Sequence, residues 1–227
     1  MTRADQARRT FVKLEEILEA ENLGFTNVVR TWLFIDDILS WYPEFNKVRS
    51  DFFKANRIFD GLVPASTGIY GKNPAGSALT ADVLAMVKKD VSTTIQEIPS
   101  PLQCPAPKYG SSFSRAVEVV DRDIRQLIIS GTASIDIDGN SLHQGSISLQ
   151  IDHTMNVISA ILQSRQMNWD NICRAVVYFK NPAEQKFYDK YRIEKGIPDF
   201  PSLAVRADIC RDELLFEIEV DAVQTMD

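Results

Sequence analysis

Residues 214–223 read L-L-F-E-I-E-V-D-A-V. Alternation places Phe216, Ile218, Val220 and Ala222 on one face of a strand and Glu217, Glu219 and Asp221 on the other. Upstream, residues 203–210 alternate too, with Leu203, Val205, Ala207 and Ile209 apolar and Arg206, Asp208 and Cys210 between them. The segment Arg211–Leu214 has the length of a hairpin connection. A hairpin closed there pairs Cys210 with Leu215, Asp208 with Glu217 and Arg206 with Glu219, and sets both apolar series on one face. The opposite face then gathers Arg206, Cys210, Glu217 and Glu219. Such a patch reads either as the solvated side of a half-buried sheet or as the floor of a cleft.

The chain has 227 residues, 44% hydrophobic and 25% charged, with a formal net charge of −6. This suits one large or two small domains with a sizeable core. There is no basic run, which argues against nucleic acid as a partner, and an acidic total leaves room for a local arginine pocket that takes an anionic small molecule. No apolar run approaches the ~20 residues of a membrane span. The polar start M-T-R-A-D-Q-A-R-R-T has no signal core. Cys104, Cys173 and Cys210 are odd in number and far apart, which suits a reducing cytosol. With His143 and His153 as the only histidines and no close cysteine pair, no metal site and no cofactor are expected.

Residues 7–22 have helical spacing, with Phe11, Leu14, Ile17 and Leu18 on one stripe. The run 28–35, V-V-R-T-W-L-F-I, reads as a buried strand. Pro43 marks a helix start ahead of Phe45, Val48, Phe52 and Phe53, and V-P-A-S-T-G-I-Y-G and a strand around 82–87 complete the unit. The second half repeats the order: a helix over 151–166, Asn171-Ile172-Cys173-Arg174 leading A-V-V-Y-F, a helix around 185–192, and the closing strands. Ile17-Leu18 precede Asn27 at the spacing by which Ile161-Leu162 precede Asn171, which marks an internal duplication. The second copy has two extra strands, 114–120 and 125–137, closed by a turn signal at Asp138-Gly139. Between the copies, residues 91–113 hold Pro99, Pro101, Pro105 and Pro107 and read as a linker. The division is thus 1–95, a truncated first copy; 96–113, a Pro-rich linker; and 114–227, a complete second copy. The fold class is α+β, with helices packed on one face of each sheet and the other face free to close against its copy or a neighbouring subunit.

The stretches A-P-K-Y-G-S-S-F-S-R-A-V (106–117) and I-I-S-G-T-A-S-I (128–135), the helix at Gln150 and the final F-E-I-E-V-D-A-V resemble the RidA (YjgF-type) superfamily. The first half resembles a truncated copy of the same fold. The resemblance implies trimer-like homo-oligomers with ligand sites in clefts between subunits. Deaminases of that superfamily have a tyrosine where Phe113 stands and an arginine after the proline that here opens Pro201-Ser202-Leu203. Leucine cannot grip a carboxylate. The tandem layout, Y-G-S-S-F-S-R-A and the first copy's P-A-S-T-G-I resemble the chorismatases more closely. That resemblance implies Glu217 as catalytic acid and Cys210, seven positions before it, as a determinant of product. A cysteine there accompanies 3-hydroxybenzoate, whereas alanine near Ala133 accompanies hydrolysis, so the product stays open. Full-length chorismatases resemble this chain with further residues ahead of it. Either those residues are dispensable here or another subunit completes the site.

On that reading the substrate is chorismate, an anionic enol ether, and pyruvate release needs a carboxylic acid that keeps its proton near neutrality. Apolar burial and a neighbouring carboxylate, here Glu219, both favour the protonated form. Arg206 is expected to pair with Glu219 or to grip a substrate carboxylate. Cys210 serves as nucleophile or base only with a lowered pKa, and otherwise as packing. Arg174, Tyr178 and Lys180 share a strand face as anion contacts or plain surface. Ser130-Gly131-Thr132, with Ala133 beside it, lets backbone approach a ligand or forms a bulge. The alternatives in function are an imine deaminase and a metabolite-binding protein without turnover. An endoribonuclease fits least, because there is no basic groove.

Overall fold

The computed structural model describes residues 1–226. Thr2 caps the first helix, α1 (Arg3–Ala20), through a reciprocal pairing with Asp5 that satisfies two end N–H groups. A one-turn 3₁₀ segment leads into β1 (Val28–Ile35), followed by α2 (Ile38–Ala55), β2 (Ala65–Tyr70) and β3 (Leu79–Ala85). β1 lies between a parallel β2 and an antiparallel β3. Helices α1 and α2 cover one face of this sheet with Phe11, Phe45 and Phe53, joined by Phe25 of the 3₁₀ segment, all buried.

The second copy contains β4 (Thr94–Ile98), β5 (Ala116–Asp121), β6 (Ile124–Ala133), α3 (Ile147–Ser164), β7 (Ile172–Phe179), α4 (Gln185–Glu194), β8 (Ser202–Arg206) and β9 (Phe216–Thr225). Its strand order is β4-β5-β6-β9-β7-β8. The triplet β8-β7-β9 reproduces β2-β1-β3, one parallel and one antiparallel pair about a central strand. The repeated asparagines do the same work in each copy. Asn27 accepts the Gly24 N–H and Asn171 the Asn168 N–H, both at 2.9 Å, and so each closes the short turn that aims its central strand. The fold is therefore α+β with two related units, the first lacking counterparts of β5 and β6.

Period-two alternation in β9 sends Phe216, Ile218, Val220 and Ala222 under α3 and α4, where they join Ile151, Met155, Ile158 and Leu162. Glu217, Glu219 and Asp221 face the other way, toward the first sheet. The two helix-free faces close on each other within one chain. Arg30 of β1 reaches the Ile129 carbonyl at 3.0 Å, and the Ser66 N–H of β2 reaches Ser130 Oγ at 2.8 Å.

Three expectations are overturned. The closing strands do not form a hairpin: β8 pairs in parallel with β7, and β9 lies between β6 and β7. Arg206 is consequently opposite Phe179, not Glu219. Alternation reports which face a residue takes but not which strand lies beside it, and the β7-α4-β8 crossover puts β8 on the outer edge. Leu203 there is 61% exposed, while the intended turn is a longer connection that buries Ala207, Ile209 and Leu214. Next, Thr94–Ile98 is an edge strand on β5, not linker; the prolines begin only after it. Finally, α2 begins at Ile38, so Pro43 lies inside the helix.

Candidate active site

Glu217 sits between Ala133 of β6 and Tyr178 of β7. A register shift in β6 between Ile129 and Thr132 brings Gly131 directly over it, where a Cβ would overlap the carboxyl oxygen. The side chain is 4% exposed. Burial, with the Glu219 charge added, pushes its carboxyl up to about 8 against the opposing pull of Arg30 and Arg115. The side-chain donors, two from the first sheet and one from β7, go to Glu219 instead. Arg30 Nη2 donates at 2.7 Å, Arg174 Nη2 at 2.6 Å and Trp32 Nε1 at 3.0 Å. Burial acts to raise Glu219 as well, but Arg30, Thr67 and Arg174 outweigh it and hold that carboxyl below its ordinary value. Two acids on one strand face thus divide the roles: one fixed anion, one proton holder.

Glu217 opens into a cavity of about 570 Å³, within the size range of small-molecule sites. Its walls come from both copies of one chain. α2 supplies Tyr42 and Arg49, β6 supplies Gly131 and Ala133, and the β8–β9 connection supplies Cys210 and Arg211. β2 supplies Ser66 and Gly68, and the segment ahead of β5 forms a further wall through Tyr109, Phe113 and Arg115. It is pinned there by Gln103, whose amide donates to the carbonyls of Ala133 and Ile135, both at 2.9 Å.

Arg49 and Arg115 are 2% and 4% exposed, and each keeps a buried nitrogen with no partner: Nε of Arg49 and Nη2 of Arg115. Such atoms cost free energy unless an acceptor arrives. The Phe113 ring is near both guanidinium groups, 5.8 Å from that of Arg49 and 5.5 Å from that of Arg115. Burial lowers the Arg49 pKa, so its charge is held at a cost that an incoming anion offsets. Arg211 is held by the Gly139 carbonyl and Ser141 and lies over Tyr109. Burial also raises Tyr42, and raises Tyr109 to about 12, so both phenols stay neutral donors.

Of the residues singled out by sequence, Glu217, Cys210, Gly131 and Ala133 meet at the cavity. Burial, with the Glu217 charge, pushes the Cys210 thiol up to about 12, so it is a neutral thiol rather than a thiolate. Glu219 lies beneath, 0% exposed, between the sheets. Arg174 is bound to Glu219 and Asp221, and the Thr132 hydroxyl is turned to the Ser130 carbonyl at 2.8 Å. Arg206 lies elsewhere, in a separate depression with Asp36, Asp37 and Asp208. Arg49, Arg115 and Arg30 were not anticipated. A signal existed for two of them: Arg30 interrupts an apolar strand, and Arg49 falls four residues after Phe45 on the buried stripe of α2.

The endoribonuclease L-PSP family model matches residues 2–91 and again 105–224, once for each copy. A 3-hydroxybenzoate synthase of Streptomyces hygroscopicus is 26% identical over 242 residues, spanning 95% of this chain and 68% of that protein. The crystal structure of a chorismatase shares the fold with a TM-score of 0.77 at 20% identity, covering 95% of this chain and 70% of that one. With its duplicated family match on most of its length, the chain belongs to the endoribonuclease L-PSP family.

Proposed function

We propose that this chain is a chorismatase-type enzyme, cleaving the enolpyruvyl ether of chorismate without a cofactor. The observation that carries the reading is one buried carboxyl, raised to about 8, facing a cavity that also holds two buried arginines with unpartnered nitrogens. The names of the two relatives are consistent with it.

Glu217 gives its proton to the terminal methylene carbon, which becomes the methyl group of pyruvate. Positive charge develops at the carbon carrying the ether oxygen, close to the new Glu217 carboxylate and the fixed anion Glu219. Water adds to that carbon, its proton returns to Glu217, and the resulting hemiketal collapses to pyruvate and the ring alcohol. The ring product is a dihydroxycyclohexadiene carboxylate, or a hydroxybenzoate after loss of one water. Arg49 and Arg115, both near Phe113, are the groups suited to the two substrate carboxylates, since guanidinium forks match them geometrically. Cys210 contributes as a neutral thiol beside Glu217 and not as a nucleophile.

General acid catalysis supplies roughly 10²–10⁴-fold, so Glu217→Gln should lower pyruvate release from chorismate by about that factor. A lactate dehydrogenase-coupled assay reads it directly. Equal release by the variant, or none from the wild type, removes the proposal.

A further inference from the structure

Ionisable groups face Glu217 from several elements, while β6 brings only Gly131 and Ala133 against it. Glu219 shares its strand, Arg30 comes from β1, Tyr178 from β7 and Arg115 from the segment before β5. Across the cavity lie Arg49 and Tyr42 of α2, Tyr109 of the proline-rich wall, and Cys210 with Arg211. Arg30 is the most consequential of these. It is 0% exposed and sits between the sheets, paired with Glu219 and close enough for its charge to act on Glu217. Its two terminal nitrogens are committed elsewhere, Nη1 to the Ile129 carbonyl and Nη2 to Thr67 and to Glu219, while its Nε is buried without a partner. Trp32 and Arg174 donate to the other Glu219 oxygen.

We propose that Glu219 is a positioning residue that acts through Glu217: by occupying Arg30, it leaves the proton on its neighbour. This deepens the chorismatase reading, on which it rests for its kinetic test only. A buried ion pair is weak evidence for a purely stabilising role, because desolvation consumes much of its attraction. Here the pair does something that packing cannot. Without the Glu219 charge, Arg30 would be a buried cation left with only Asp221 and Glu217 as acids in reach, and Glu217 would ionise more readily to meet it. Conversely, without Arg30, the Glu219 charge would act on Glu217 with only Arg115 pulling the other way, and hold the proton tighter.

The two partners of one ion pair must therefore shift the same titration in opposite directions. In Glu219→Gln the alkaline limb of the turnover profile should move down by at least about one pH unit. At pH 8 the protonated fraction would fall from about a half to under about a tenth. In Arg30→Met the limb should move up. A merely structural pair would lower folded protein or turnover at all pH values in both variants without displacing the limb. The infrared band of a protonated carboxyl, assigned by its loss in Glu217→Gln, follows the same titration without substrate. Opposite shifts of that band support the inference even if chorismate is not turned over. An unmoved limb and band in a folded Glu219→Gln, or a shift of the same sign in both variants, overturns it while leaving the function proposal intact. Should Glu219→Gln not fold, Arg30→Met decides alone: an upward shift supports the inference, and an unmoved or downward one overturns it.

Discussion

Replacing Gly131 with alanine perturbs Glu217 without touching any charge. Gly131 is not among the residues with positive φ, so alanine is permitted there by the backbone and the effect isolates the contact. The added Cβ would overlap a Glu217 carboxyl oxygen and lie 3.1 Å from both Glu217 Cδ and Thr67 Cγ2. Thr67 also receives the Gly131 N–H at 3.1 Å, so the strands cannot separate there without losing that bond. The carboxyl, at the end of a rotatable chain, must therefore give way. Overpacking of this kind costs about 1–3 kcal/mol of stability. A displacement near 1 Å at a reacting group costs about 10²-fold in rate. Urea denaturation and coupled pyruvate release measure the two quantities separately. Full turnover in Gly131→Ala, with an unchanged pH profile, would refute the placement of Glu217 as the proton donor held under this glycine.

Stability should depend on Glu217 in a way opposite to activity. The folded chain holds that proton up to about pH 8, whereas the unfolded chain releases it near the ordinary 4.5. Between those values the native state binds more protons, so stability falls as pH rises, by about 1.4 kcal/mol per pH unit. Glu217→Gln cannot titrate, and its melting temperature should gain on the wild type across that window while turnover is lost; parallel curves would contradict the raised pKa. Arg49→Met should raise KM for chorismate about 10–150-fold, the range of a charge-assisted hydrogen bond of about 1.5–3 kcal/mol, and should leave stability equal or improved. An unchanged KM, read from initial rates, would place the substrate carboxylates elsewhere.

The polar face of the last strand was legible in sequence because alternation is a local property: Phe216 and Ile218 toward the helices, Glu217 and Glu219 away. The duplication was legible too, since Asn27 and Asn171 stand before equivalent strands and cap equivalent turns. What joins with what was not. The partner of Glu219 is Arg30, 189 residues earlier in the chain, a pairing that depends on how two sheets close and leaves no trace in spacing. The same holds for the arginines. Arg49 and Arg115 come together because α2 of the first copy meets the segment ahead of β5, where Ser50 and Ser112 share a hydrogen bond of 2.7 Å, and neither segment's own pattern contains that approach. Arg206 misled for the complementary reason. Its alternation is real, but edge strand β8 turns it away from Glu217.

The central claim is that an acid in the chain protonates the methylene carbon of an enolpyruvyl ether. Cleavage of chorismate in deuterium oxide, with pyruvate trapped at once as lactate, tests it most directly. Mass spectrometry should show one deuterium in the methyl group for the wild type, and Glu217→Gln should yield almost no labelled lactate. A methyl group without deuterium, or labelled product formed undiminished by the variant, would contradict the account.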